Sequence, residues 1–72
     1  MIADIRQRLA TQPFEPFVII TSSGHRYRIA TSEHAAFNPR GNRLIIWFDD
    51  GSSVDISGLH IVALEKEPAT AA

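Results

Sequence analysis

The amino-acid sequence predicts a mostly β fold, a small five-stranded barrel preceded by one N-terminal α-helix. A short stretch with helical spacing opens the chain, and five short apolar or alternating segments follow it. Turn residues separate these segments. Strands of this length cannot bury both faces of a flat sheet, whereas a curled barrel buries one face and leaves fewer free edges.

The predicted helix lies at the N-terminus. Ile2, Ile5 and Leu9 recur at helical spacing, with polar residues between them. Pro13 disfavours helical backbone at the residue before it, so we expect the helix to end near Thr11. A helix of about two to three turns is unstable alone and must pack its apolar side against the strands.

Five segments have the composition of β-strands. They are Phe17–Thr21, His25–Ile29, Arg43–Asp49, Ser53–Ser57 and His60–Glu65. Glycine-containing pairs at Ser23-Gly24, Asp50-Gly51 and Ser57-Gly58 predict turns between them. The alternation predicts that six side chains point into the barrel: Tyr27, Ile29, Val54, Ile56, Val62 and Leu64.

The segment between the second and third predicted strands, Thr31 to Phe37, is ambiguous. Ser32 can cap one short helical turn that runs through Ala36. Residues 38–41, with the sequence Asn-Pro-Arg-Gly, then have the residue order of a type I turn.

The length of 72 residues allows a single domain, which we assign to residues 1–65, followed by a disordered tail of residues 66–72. A chain this short buries only about 60% of its unfolded surface, so it often depends on disulfides, a metal or a partner. The sequence has no cysteine, which removes disulfides and thiolate metal sites. Its apolar runs are too short for a signal peptide or a membrane span, so we expect a cytoplasmic protein without membrane contact.

The net charge of −1 conceals an uneven distribution along the chain. Residues 1–43 hold six arginines and three acidic residues, whereas residues 44–72 hold one lysine and five acidic residues. Such a division can create opposite surface potentials that attract an anionic ligand or a second copy of the chain. The alternative is that strands from the two halves lie side by side and their charges interleave.

The helix is followed by Gln12-Pro13-Phe14-Glu15-Pro16-Phe17 and a glycine-containing hairpin. This order resembles a family of short bacterial proteins of unknown function, over roughly residues 2–65. The resemblance implies a bacterial protein with the same helix and hairpin, and it implies no activity.

The segment from Ile56 to Leu64, Ile-Ser-Gly-Leu-His-Ile-Val-Ala-Leu, is similar to the second Sm motif, in which a glycine at a strand junction precedes Ile-Val. With the helix and five strands, it resembles the Sm-like fold, which includes a bacterial RNA chaperone and is a small SH3-like barrel. Ala35 stands where that family has an aspartate, and Ser57 where it usually has an arginine. Since those residues help to form the RNA pocket, the resemblance implies the barrel without implying RNA binding.

Four arginines form the predicted surface for a partner or a nucleic acid. Arg26 and Arg28 share the outward face of the second predicted strand, and Arg40 and Arg43 flank the following turn. Guanidinium groups bind the oxygens of phosphates and carboxylates two at a time, so RNA and an acidic protein surface are both candidates. A solvated basic face is the third interpretation. The slightly negative net charge and the missing pocket residues favour protein over RNA.

The third predicted strand has two apolar faces, and only one of them can fill the barrel. Ile45 and Trp47 share a face with the charged residues that flank the strand, so we expect this face to point outward. The opposite face carries Leu44 and Ile46. An exposed apolar face is uncommon on a monomer, so the helix or another chain should cover it. Ile45 and Trp47 are therefore the predicted oligomer interface.

The sequence contains no recognisable catalytic or cofactor motif. His25, His34 and His60 have side chains that can bind metals, but they lack the spacing of a known site. No glycine-rich phosphate loop occurs, and residues 49–55 lack the spacing of a calcium loop. We therefore predict a non-enzymatic interaction module that self-associates and uses no metal or cofactor. The alternatives are an Sm-like RNA-binding ring and, third, a small accessory enzyme or metal-binding protein.

Overall fold

A computed structural model describes residues 1–67, in which one helix precedes six strands. The helix α1 is Ile2–Ala10, and the strands are β1 Phe17–Thr21, β2 Arg26–Ile29, β3 Ala35–Phe37, β4 Arg43–Trp47, β5 Ser53–Ser57 and β6 Ile61–Lys66. Short 3₁₀ turns at Ser32–His34 and Gly58–His60 precede β3 and β6. Residues 66–72 were predicted to form a disordered tail. Lys66 is instead the last residue of β6, and residues 68–72 lie outside the described residues.

The strands form two antiparallel three-stranded sheets, so the prediction of one closed five-stranded barrel is wrong. In sheet 1, β1 lies between β2 and β6, and in sheet 2, β4 lies between β3 and β5. The two 3₁₀ turns lie where the chain passes from one sheet to the other. The backbone of a 3₁₀ turn is not extended, so it does not continue the regular ladder of a neighbouring strand. The two ladders therefore stop at these turns instead of joining.

Strand β3 was not predicted. The helical turn expected from Ser32 through Ala36 is a 3₁₀ turn that ends at His34, and extended backbone follows it. Thr31 caps this turn, since its Oγ1 accepts a hydrogen bond from the N–H of Glu33 at 3.2 Å. Alanine has little strand propensity of its own, so the pairing of β3 depends on the strongly apolar β4 beside it.

Helix α1 has the bounds that the sequence predicts. The backbone becomes extended at Thr11, whose N–H donates to the carbonyl of Arg8 at 3.3 Å. Ile5 is fully buried. A Cβ atom at Gly58 would lie 2.6 Å from Cδ1 of Ile2, so the helix packs closely against the junction between β5 and β6.

The hydrophobic core lies between the two sheets. Its buried members are Phe17, Ile19 and Ile29 of sheet 1, Ala35, Leu44, Ile46 and Ile56 of sheet 2, Ile61 at the start of β6, and Ile5 of α1. The predicted inward positions of Ile29 and Ile56 are confirmed. Tyr27, Val54 and Leu64 are half-buried and pack against this cluster.

Val62 was predicted to face the core, and this prediction is wrong because its side chain is 53% exposed. Ile20 of β1 pairs with Ala63, but the next residue, Thr21, pairs with Ile61. Val62 is therefore the extra residue of a β-bulge, which shifts the alternation of β6 and turns Ile61 inward.

Candidate functional site

The four arginines of the predicted partner surface are divided between the two sheets. Arg26 and Arg28 lie on β2 of sheet 1. Arg43 begins β4 of sheet 2, and Arg40 lies in the turn before that strand. The structure therefore does not place the four guanidinium groups on one strand face.

Three of these arginines form ion pairs with acidic residues from the second half of the chain. The pairs are Arg26–Glu65, Arg28–Glu67 (Nε to Oε2, 2.7 Å) and Arg43–Asp55 (Nε to Oδ1, 2.9 Å). The strand order brings these residues together, because β6 lies in the same sheet as β2 and β5 lies beside β4. The opposite charges of the two halves are thus largely neutralised within the fold, and the interpretation of interleaved charges is the one confirmed.

The pair between Arg28 and Glu67 changes the ionisation of both partners. The hydrogen bond from Arg28 lowers the pKa of Glu67 below its ordinary value of 4.5. The same bond raises the pKa of Arg28 above its ordinary value. Both side chains contact solvent, so the pair has a small effect on stability.

The ion pairs of Arg26 and Arg28 cross the outer face of sheet 1. Since β1 lies between β2 and β6, each pair passes over β1. Val18 of β1 has Arg28 on one side and Glu65 on the other. Long charged side chains cover apolar surface with their methylene stems. The half-buried Val18 and its neighbour on this face, Ile20, are therefore shielded by the chain itself.

The outer face of sheet 2 carries Ile45 and Trp47, and we call it the Trp47 face. Its ion pair, Arg43–Asp55, lies beside Ile45 and leaves Trp47 exposed. Ile45 has Ala36 and Asp55 as its cross-strand neighbours, and Trp47 has Ser53. Because Ser53 is small, it covers little of the indole, and Trp47 is 42% exposed. The predicted outward direction of Ile45 and Trp47 is confirmed.

The helix packs on other parts of the molecule. The guanidinium of Arg6 lies 4.5 Å from the ring centre of Phe37, and that of Arg8 lies 5.6 Å from the ring centre of Phe17. The sequence predicts that either the helix or another chain covers Trp47. In the structure the helix does not cover it. No helix in residues 1–67 is long and apolar enough to cross a bilayer.

A second candidate site is an open cleft of about 340 Å³ between the β1–β2 turn and the turn before β6. Its polar lining includes Ser22, Ser23, His25, Arg43, Ser57 and His60. From the sequence, the three histidines are possible metal ligands that lack the spacing of a known site. No sequence signal brings His25 and His60 together, because their proximity depends on the pairing of β1 with β6.

Serine hydroxyl groups hold both imidazoles of the cleft. Ser23 Oγ lies 2.9 Å from Nδ1 of His25 and 2.9 Å from Oγ1 of the buried Thr21. Ser22 Oγ lies 3.4 Å from Nδ1 of His60. The N–H of Ser22 also donates to the carbonyl of His60 at 2.7 Å, which fastens the two turns to each other.

The third histidine, His34, has a different environment. Its Nδ1 lies 2.7 Å from Oγ1 of Thr31, and its Nε2 lies 3.0 Å from Oδ1 of Asp49. These bonds connect the turn before β3 with the end of β4. Within the described part of the chain, no three His, Asp or Glu side chains are grouped so as to hold a metal ion.

Comparisons of this chain with protein-family models, with curated proteins and with solved structures find no match. The resemblances to the short bacterial family and to the Sm-like proteins therefore remain predictions. The function has to be argued from the geometry of the Trp47 face, the ion pairs and the cleft.

Proposed function

We propose that this protein is a non-enzymatic, cytoplasmic interaction module that self-associates through the Trp47 face. The single observation that carries the proposal is the exposure of Trp47, beside the half-buried Ile45, on the outer face of sheet 2. Tryptophan is enriched among the residues that dominate binding energy in protein interfaces. A short domain with a small core also gains stability when a partner covers apolar surface.

A second copy of the chain fits this face better than a highly charged partner does. In a two-fold dimer the same patch meets itself, so any net charge on the patch would be repelled by its own copy. The charged residues beside Ile45 and Trp47 are Arg43 and Asp55, which neutralise each other at 2.9 Å, and Asp49, whose Oδ1 lies 3.0 Å from Nε2 of His34. The face is therefore apolar at its centre, and two of the three charged groups at its border neutralise each other.

The Sm-like RNA-binding ring receives less support from the same geometry. Binding to phosphates needs free cationic groups, whose contacts release counterions from the nucleic acid. Arg26, Arg28 and Arg43 instead bind carboxylates of their own chain. RNA would have to compete for these guanidinium groups.

The experiment is sedimentation equilibrium of the full chain and of two serine variants. Trp47→Ser removes the centre of the proposed interface, and Leu59→Ser is the matched control because Leu59 is 92% exposed on the turn before β6. We expect a dimer at about 50 µM whose dissociation constant rises at least about tenfold in Trp47→Ser, as for an interface hot spot. Leu59→Ser should leave it unchanged. A monomeric wild-type protein at that concentration, or equal effects of the two variants, contradicts the proposal.

A further inference from the structure

We infer that the cleft between the β1–β2 turn and the Gly58–His60 turn binds a small oxyanion, either free phosphate or the phosphate group of a small molecule. The lining of this cleft does not include Trp47 or Ile45, the centre of the proposed interface, although it shares Arg43 and Asp55 with the border of that interface. Its chemistry follows from the hydrogen-bond donors that converge on it.

The donors come from both walls of the cleft. One wall carries the hydroxyls of Ser22 and Ser23 with the imidazole of His25. The other carries Ser57, His60 and Arg43, whose Nε is bound to Asp55 of the same lining. Hydrogen bonds from charged nitrogen groups to an anionic oxygen are about twice as strong as neutral ones. Hydroxyl groups can also accept a hydrogen bond from the P–OH group of a partly protonated phosphate.

The serines leave one ring nitrogen of each imidazole free for a ligand. Nδ1 of His25 is held by Ser23 and Nδ1 of His60 by Ser22, and within residues 1–67 neither Nε2 has a hydrogen-bond partner. When a serine hydroxyl donates to Nδ1, the neutral ring carries its proton on Nε2. In the protonated ring Nε2 carries a proton as well. In that tautomer, and in the protonated ring, Nε2 can donate a hydrogen bond to an anionic oxygen.

A β-bulge and a glycine turn in the backbone position the serine and histidine side chains of the cleft. The β-bulge of Val62 lies opposite the step from Ile20 to Thr21, directly before Ser22. Gly24 turns the chain with φ +88°, a conformation that suits glycine. Oγ1 of Thr21 accepts the N–H of His25 at 3.2 Å. Bulges of this kind re-aim side chains and are frequent beside functional sites.

The charge of the cleft depends on its two histidines. Arg43 and Asp55 neutralise each other, and Tyr27 is the other titratable group in the lining. Protonation of an imidazole adds positive charge to the cleft, so anion binding should strengthen as the pH falls. The volume of about 340 Å³ is roughly ten times the share of one water molecule in the liquid. It accommodates a phosphate ion with part of an attached molecule.

Sulfate is the first probe, because it keeps its double negative charge over this pH range and any pH effect must then come from the protein. We expect saturable amide shifts in NMR titrations at about pH 5.8, centred on Ser22, Ser23 and His60, and at least about tenfold weaker binding at pH 8. Shifts that do not saturate, or binding that is equal at the two pH values, overturn the inference.

The variant test uses His25→Gln combined with His60→Gln, with His34→Gln as the matched control outside the cleft. The double variant should bind sulfate at least about tenfold more weakly at low pH and lose the pH dependence. His34→Gln and Trp47→Ser should bind like the wild type, and this separates the site from self-association. Equal losses in His34→Gln overturn the inference. Tighter binding of glycerol phosphate than of inorganic phosphate identifies an ester as the ligand, and equal binding identifies the free ion; either result supports the site.

Discussion

Arg28 on β2 and Glu67, directly after β6, form an ion pair of 2.7 Å although β1 lies between their strands. The pair joins the arginine-rich half of the sequence to its acidic half. A second pair, Arg26 with Glu65, takes the same path. The positive charges of Arg26 and Arg28 are therefore neutralised by glutamates of the same chain. The exposed Trp47 face is then the stronger candidate for binding a partner.

The ion pair predicts a change in acid stability. The pKa of Glu67 is lowered in the folded protein by Arg28, so its stabilisation is present above the ordinary value of 4.5 and is lost as the pH falls through the lower folded value. Glu67→Gln should remove part of the decrease in melting temperature between neutral and acidic pH. Thermal unfolding followed by circular dichroism measures this, with Glu33→Gln as the control. An acid dependence of Glu67→Gln equal to that of the wild type contradicts the assignment.

Two leucines test the packing of the core. Leu44 is fully buried between the sheets and Leu59 is 92% exposed. Leu44→Ala should reduce the free energy of unfolding by about 2–5 kcal/mol, because it removes buried methyl groups and leaves a cavity. Leu59→Ala should change it by less than about 0.5 kcal/mol. Urea unfolding compares the two variants, and similar losses would show that the core is misplaced.

Gly58 tests the contact between α1 and the sheet junction. A Cβ atom there would lie 2.6 Å from Cδ1 of Ile2 and 3.2 Å from the carbonyl oxygen of Asn42. Gly58→Ala should destabilise the fold by about 1–3 kcal/mol through overpacking. Combined with Ile2→Ala, the loss should be smaller than the sum of the two single losses, because the smaller side chain relieves the clash. Strictly additive free energies in urea unfolding would contradict this contact.

The arginines of sheet 1 lie outside the proposed interface. Changing both Arg26 and Arg28 to Ala should therefore leave the mass in solution unchanged, since their partners Glu65 and Glu67 belong to the same chain. Light scattering checks the mass. An RNA complex of sub-micromolar affinity that weakens steeply with salt and is lost in this variant would favour the RNA-binding alternative instead.

Local patterns were sufficient to predict α1 and five of the six strands. The spacing of Ile2, Ile5 and Leu9 and the proline after them fix the helix, and turn residues fix the hairpins. Strand β3 was not predictable in this way, because Ala35–Phe37 becomes a strand only beside β4. The exposure of Val62 depends on a bulge, and the division into two sheets depends on where the 3₁₀ turns interrupt the ladders.

The candidate sites show the same limit. The outward direction of Trp47 was predictable because charged residues flank its face of the strand. The partners of Arg26 and Arg28 were not, since an ion pair between β2 and β6 requires knowledge of the strand order. The cleft was not predictable either, because His25 and His60 meet only through that order.

The fluorescence of Trp47 tests self-association most directly, because the sequence contains one tryptophan. If a second copy covers this residue, dilution from about 100 µM should shift the emission maximum to longer wavelength, with a midpoint at the dissociation constant found by sedimentation. Leu59→Ser should show the same transition. An emission maximum typical of a solvent-exposed indole that stays constant over the whole concentration range would contradict the account.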